Sequence, residues 1–511
     1  MKRFLIINML VMLVLTSFSY AEEKVVKLEN HIVKEISNDL IRYTNKELGY
    51  QIEVDDNLEL KLPMDKYISE LRSDKLEVEV YYDDLSEHSS FLSYVNYTTK
   101  FLNDEKSHTF EYKESKKLNG RPYKLFKWSR DKIKNIEHDR NHYVLVLINM
   151  GNDKAYTIFI KSEDEFKDYD SYMDIVKSFK ITDKIGMTRY YEDMSDIQIR
   201  DNFNEVTTNF VDKYFINNKK LHWGIFEPTA PTAFNYLNTL EKQIDYDFNF
   251  LLKYQTFDSS FPLNELEEAY KRNEYVELTF QTMFFSDPSK NKGILYDIID
   301  GKYDDYFKEY ARLANEFDKP ILFRLNNEMN GDWCVYSSFY HSMDTDIYKD
   351  SYRYIYNIFE EAGANDNVLW VWNPHDISFP KFKWNDYMSY YPGDKYVDVV
   401  GLTGYNTGTY YKGEVWREFS QIYPELYRDY DEKFNKPFII TEFGSNKVGG
   451  DKVNWVNQMF DEIRYGDYKK LKIAIWWNGI DWDTQGNPAR TYRLDKDPNV
   501  IEAFKKGLMF Y

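Results

Sequence analysis

Two short runs of residues could carry chemistry. Arg324-Leu325-Asn326-Asn327-Glu328-Met329-Asn330-Gly331-Asp332-Trp333 extends an apolar stretch at 321–325, and Ile440-Thr441-Glu442-Phe443-Gly444 extends another at 438–441. Each run sets one carboxyl group just past a strand-like segment. Cleavage of a glycosidic bond needs such a pair, one protonated acid for the leaving oxygen and one ionised carboxylate for the oxocarbenium-like centre, and it needs no metal. Either glutamate alone is more often a surface or ion-paired residue. The two together become a candidate site only if the fold brings both strand ends to one place.

The elements that must do so are legible as a rhythm. Apolar runs at 222–226, 248–254, 276–282, 321–325, 368–372, 397–402, 438–441 and 473–477 make eight strands. Amphipathic helices lie between several of them, with apolar spacing at Phe307, Tyr310, Ala311 and Ala314 and again at Tyr352, Ile355, Tyr356 and Phe359. Continuous apolar strands alternating with helices predict an α/β fold, a (β/α)8 TIM barrel, with an open doubly wound sheet as the alternative. In such a barrel the reactive groups sit past the C-terminal ends of the strands, which is where Glu328 and Glu442 fall. Trp333, Trp476 and Trp477 lie in the same mouth loops or last strand, where flat rings stack on sugar faces. Alternation within a strand lets only one of Trp476 and Trp477 point inward, and the reading taken is Trp476.

Upstream the composition changes: Trp128 is the only tryptophan before residue 200, and ten follow. Alternation in Leu76-Glu77-Val78-Glu79-Val80-Tyr81, a hairpin around Gly151-Asn152-Asp153 and a helix carrying Tyr172, Ile175, Val176 and Phe179 predict a smaller α+β domain. The expected division is a signal peptide at 1–21, this accessory domain at 22–183, a linker at 184–205 and the barrel domain at 206–511. The leader reads Met1-Lys2-Arg3, an apolar run of a dozen residues and Ser19-Tyr20-Ala21, shorter than the ~20 residues that span a bilayer. It predicts a secreted, extracellular protein, with attachment at the cell surface as a variant, and no membrane span once the leader is removed. Loss of Lys2 and Arg3 takes the formal charge from −19 to −21. So acidic a surface repels nucleic acid and favours a neutral partner such as a polysaccharide. The single cysteine, Cys334, allows no intrachain disulfide, and a monomer is expected.

Other chemistries lack their residues. His-Glu-x-x-His, the phosphate-binding Gly-x-x-x-x-Gly-Lys and Gly-x-Ser-x-Gly are absent, and the eight histidines show no zinc spacing. No cofactor and no metal are expected. His222 and His375 lie near strand ends and are read as structural histidines.

The segment from Ile299-Asp300-Gly301-Lys302-Tyr303-Asp304 through Pro320, Arg324 and Glu328-Met329-Asn330-Gly331-Asp332-Trp333 closely resembles glycoside hydrolase family 26, the β-mannanase family. Asn367 to Pro374, Tyr391-Pro392-Gly393-Asp394, Val397 to Leu402, Tyr405 and Thr441-Glu442-Phe443-Gly444 follow in that family's order, so the resemblance covers about residues 221 to 495. It implies a retaining mechanism with Glu328 as acid/base and Glu442 as nucleophile. It also implies that Tyr405 hydrogen-bonds the nucleophile and that Arg324 supports the carboxylates electrostatically, the alternative for Arg324 being a structural ion pair in the barrel core. One position departs from the pattern: the family's mannanases usually carry His before the acid/base glutamate, and this chain has Asn327. Asparagine there is similar to the wider clan of barrel glycosidases, where it contacts the sugar 2-hydroxyl. Mannose and glucose differ at that carbon, which leaves the polymer open between mannan and a related β-glycan.

The reading that follows is an endo-acting retaining hydrolase of a β-1,4-linked polysaccharide. Its catalytic residues are Glu328 and Glu442, and its sugar-binding residues are Asn327, Trp333, Tyr405 and Trp476. The alternatives are a transglycosylase on the same scaffold and a non-catalytic glycan-binding protein of the cell surface.

Overall fold

The computed structural model describes residues 30–61, 69–86, 90–186, 194–217 and 220–511. The leader read at 1–21 and part of the linker read at 184–205 lie outside them.

Two antiparallel sheets make up the N-terminal part. Strands β1 (His31–Ser37), β2 (Leu40–Asn45) and β3 (Tyr50–Asp55) form one sheet, which the short β11 (Lys180–Ile181) completes by pairing with β3. The other has seven strands: β4 (Glu59–Lys61), β5 (Ser69–Arg72), β6 (Leu76–Asp84), β7 (Thr109–Leu118), β8 (Arg121–Ser129), β9 (His142–Gly151) and β10 (Lys154–Ser162). Their spatial order is β4-β5-β6-β10-β9-β8-β7. Helix α1 (Phe91–Thr98) follows β6, and helix α2 (Asp170–Ser178) packs on β3. One face of the large sheet buries Val78, Val80, Val144, Val146, Ile158 and Ile160 against the small sheet. The other face buries Tyr81, Leu145, Leu147 and Phe159 together with Phe339, Met343, Phe382 and Trp384 from the barrel.

The second part is a closed barrel of eight parallel strands in sequence order: β12 (His222–Phe226), β13 (Phe250–Thr256), β14 (Tyr275–Gln281), β15 (Ile321–Leu325), β16 (Val368–Trp372), β17 (Val399–Asn406), β18 (Phe438–Ser445) and β19 (Leu471–Trp477). The expected (β/α)8 architecture is therefore present, and closure by β19 against β12 excludes an open sheet. The (i, i+2) parity of each strand divides its residues between two cores. Phe250, Leu252, Leu322, Leu369, Val371, Ile439, Ile473 and Ile475 point inward, while Leu278, Phe280, Ile321, Phe323, Leu325, Trp370 and Trp372 pack outward beneath the helices. A helix not foreseen from the sequence, α3 (Glu205–Val211), brings Phe210 and Val211 into the inner core, and Tyr214 and Phe215 just beyond it complete that layer. Asn204 caps this helix by accepting from the backbone N–H of Thr207 at 2.8 Å. The lower interior is thus apolar and filled, and polar chemistry is confined to the upper ends of the strands.

Candidate active site

Strand parity sets the site from below. On β14 the inward residues Glu277, Thr279 and Gln281 run up the barrel wall beside Leu322 and Arg324 of β15. Arg324 is fully buried, and its guanidinium meets four groups: Glu277 Oε1 at 2.9 Å, Thr279 Oγ1 at 2.8 Å, Asn373 Oδ1 at 3.1 Å and Glu442 Oε2 at 3.0 Å. Both readings of Arg324 are thereby present in one side chain: it is a core ion pair with Glu277 and a cationic donor to Glu442.

Glu442 reaches this position through an irregularity. Strict alternation from inward Ile439 would send it outward, but the register between β18 and β19 shifts between Ile440 and Phe443. Phe443 regains the outward face, and the Glu442 carboxylate turns into the mouth. The Tyr254 hydroxyl, from β13, donates to the same Oε2. This is the bond expected from Tyr405. The Tyr405 ring instead stands edge-on to Trp477 at 6.2 Å and tilted on Tyr492 at 5.0 Å, close enough for Glu442 to help push its phenol above the usual range, after burial. Tyr254 follows inward Phe250 and Leu252 in parity, which turns its ring into the barrel.

Glu328 sits past the end of β15, with φ of 55° after Asn326 at 51°. Left-handed backbone costs a non-glycine residue roughly 1–2 kcal/mol and is held only where surroundings over-determine it. Here the Glu328 N–H donates to Asn373 O at 2.7 Å, and the Asn326 side chain accepts from Thr282 N and Oγ1 at 2.9 and 3.0 Å. Burial raises the Glu328 carboxyl to about 7, with His375 pulling it down and Glu442 pushing it up. Trp333 Nε1 donates to Glu328 Oε2 at 3.2 Å, and 47% of Trp333 remains exposed. Asn327 accepts through Oδ1 from Gln281 Nε2 at 3.1 Å and from the Tyr336 hydroxyl at 3.3 Å, which fixes the amide's orientation beside Glu328.

Two expectations are corrected. Trp476 does not face the mouth: it is wholly buried on the outer side, packed on Phe443, Trp455 and Phe504, and donates to Tyr492 O at 3.1 Å. Its parity matches outward Ala474, so the inward ring is Trp477, stacked on Phe226 at 5.2 Å and edge-on to Tyr405. The two histidines also differ from each other. His222 lies at the lower end of β12 against Tyr214, away from the mouth. His375 belongs to the site, with Nε2 3.8 Å from Glu328 Oε1.

Comparison with known proteins gives one family. Residues 282–444 match glycosyl hydrolase family 26, a span that includes both glutamates. Endoglucanase H of Acetivibrio thermocellus is 32% identical over 215 residues, 42% of this chain and 23% of that protein. A mannan endo-1,4-beta-mannosidase of Bacillus subtilis is 27% identical over 237 residues, 45% of this chain and 54% of that protein. A solved Bacillus subtilis mannanase structure aligns with a TM-score of 0.41 at 19% identity, over 57% of this chain and 92% of that one. The chain thus spans from about a quarter to about half of the length of these two curated relatives.

Proposed function

We propose that the chain is a member of glycosyl hydrolase family 26, the family that residues 282–444 match, and that it is a secreted retaining endo-glycosidase of a β-1,4-linked polysaccharide, with Glu328 as acid/base and Glu442 as nucleophile. One observation carries this reading: the two carboxyls at the barrel mouth have opposite surroundings. Glu328 is raised to about 7 by burial, the value of a group that can hold and release a proton near neutrality. Glu442 faces two donors, the Tyr254 hydroxyl and the Arg324 guanidinium, the environment a nucleophilic carboxylate needs. In the first step Glu328 protonates the leaving oxygen while a Glu442 oxygen bonds the anomeric carbon. In the second, water replaces Glu442 as Glu328 takes its proton. Trp333 and Trp477 offer the ring faces on which sugars stack, and Asn327 stands where a 2-hydroxyl would meet it. Export rests on the leader at 1–21.

The polymer turns on Asn327, and relatives of both kinds are at hand, an endoglucanase and a mannosidase. Release of reducing ends from mannans, xylans and mixed-linkage glucans is the test. Glu442→Ala is expected to abolish it, and Glu328→Gln to lower it by about 10²–10⁴-fold. Proton NMR of the first product should show the β-anomer. An inverted product, or equal release by wild type and Glu442→Ala on every polymer, would overturn the reading.

A further inference from the structure

His375 sits where the chain leaves β16 for the loop beside Glu328, and it is held on every side. Its backbone N–H donates to Asn330 Oδ1 at 2.8 Å, and its carbonyl accepts from Asn330 Nδ2 at 3.0 Å, which locks it to the loop carrying Glu328. Its ring stands edge-on to Trp333 at 5.1 Å, the residue whose indole N–H bonds Glu328. Nδ1 lies 2.9 Å from Ile377 O, 3.2 Å from Asp376 Oδ1 and 3.2 Å from Ile377 N; the two oxygens, which can only accept, favour a proton on Nδ1 over the one backbone N–H, and Nε2 faces Glu328 Oε1 at 3.8 Å. Asp376 Oδ1 is fully buried and takes no hydrogen bond, so this imidazole is its partner. The other oxygen of Asp376 is bound by Arg417 Nη1 at 2.6 Å. A Cβ on Gly404 would come within 3.2 Å of the Asp376 carboxyl, so the glycine on β17 leaves the room this carboxylate occupies.

We propose that Asp376 holds His375 as an imidazolium, and that His375 is the counter-charge against which Glu328 gives up and regains its proton. The inference rests on the reading of Glu328 as the acid/base. During glycosylation the Glu328 proton passes to the glycosidic oxygen as the bond from that oxygen to the anomeric carbon breaks, leaving an anion beside the imidazolium. During hydrolysis a water proton returns to Glu328 as the water oxygen bonds the carbon and Glu442 departs. His375 keeps its own proton throughout and acts through Glu328, as a positioning residue. Burial opposes its charge, while Asp376 and then Glu328 favour it, and the net effect is a raised imidazole. Arg417 works against that charge from beyond Asp376. Around Glu328 the other charged groups are Glu442 and Arg324.

The test is His375→Gln, which keeps a polar side chain and removes the charge. An opposite charge at such a distance lowers a carboxyl by roughly 1–3 units, so its loss should move the alkaline limb of kcat/KM upward by about one pH unit or more. Hydrolysis of the polysaccharide, whose leaving group needs a proton, should fall on the order of 10-fold. A dinitrophenyl glycoside, whose leaving group needs none, should keep its kcat/KM within about threefold. In protein labelled at histidine, the His375 titration followed by NMR should move to lower pH in Glu328→Gln and in Asp376→Asn. An unmoved alkaline limb in an active His375→Gln enzyme, or an unmoved His375 titration in Glu328→Gln, overturns this role and leaves the glycosidase reading standing. A wild type inactive on every glycan overturns both.

Discussion

At the scale of the residue, the unusual feature is a charge ladder inside a closed barrel. Glu277, Arg324 and Glu442 place two carboxylates on one buried guanidinium. Glu277 meets Arg324 Nε at 2.9 Å, yet burial, outweighing Arg324, raises its carboxyl to about 8. The folded protein therefore keeps a proton that the unfolded chain loses near 4.5, and the stability this proton confers is complete below that value and disappears as pH rises toward 8. Glu277→Gln removes the titration and retains an acceptor for Arg324. Its melting temperature relative to wild type is expected to rise steadily from pH 5 to pH 8, read by thermal unfolding at each pH. A constant difference across that window would show that Glu277 does not hold the proton.

At the scale of the element, strand parity decides what a residue can do. Trp476 and Trp477 are neighbours of identical type, yet one is core and the other lines the mouth. Trp476→Ala should cost about 3–5 kcal/mol of stability, as truncation of a buried aromatic does. Trp477→Ala should leave the melting temperature nearly unchanged and weaken oligosaccharide binding by roughly 10-fold, the loss of one stacking face. Titration calorimetry and thermal unfolding of the two variants check the pair, and the reverse pattern would mean the parity is wrong. The same parity explains what the sequence made legible. The strands stand out as apolar runs, and Ile321–Leu325 and Val368–Trp372 fall where the pattern puts them. The strand-end rule made the position of Glu328 past β15 legible, while Glu442 lies inside β18, which runs on to Ser445. Whether Trp476 or Trp477 turns inward was not legible, because the apolar run at 473–477 reads the same in either phase. Neither was the pairing of Tyr254 with Glu442, which links the second and seventh strands across the barrel and leaves no local trace.

At the scale of the whole molecule, the N-terminal sheets are either a tethered module or part of one body with the barrel. Domains in one chain move independently unless the interface is large and apolar. Here it is apolar and continuous with a core: Phe382 stands edge-on to Tyr94 at 4.5 Å, Trp384 is fully buried with Nε1 3.4 Å from Thr98 Oγ1, and Trp128 Nε1 donates to Ser342 at 3.1 Å. Beside it Lys161 of β10 is buried among Glu79 at 2.7 Å, Asp344 and Asp346 at 3.2 Å each, and Glu77 at 3.5 Å. The barrel residues in these contacts belong to the two loops that carry Trp333 and His375, except Asp346 at the start of the helix Thr345–Glu361, and the Tyr97 hydroxyl of α1 donates to Asp332, next to Trp333. The N-terminal sheets therefore brace the Glu328 side of the mouth. Two linked consequences follow. Calorimetry should show one cooperative transition for the whole chain, not a separate peak for each part. Lys161→Met strips the shared cation from buried Glu77, Glu79 and Asp344 and part-buried Asp346 and should cost about 3–5 kcal/mol. In a chain of roughly 500 residues that lowers the single melting temperature by on the order of 3–5 °C. Two resolved peaks, with Lys161→Met moving only the first, would mean that the sheets fold apart from the barrel and that the loops around Glu328 stand without them.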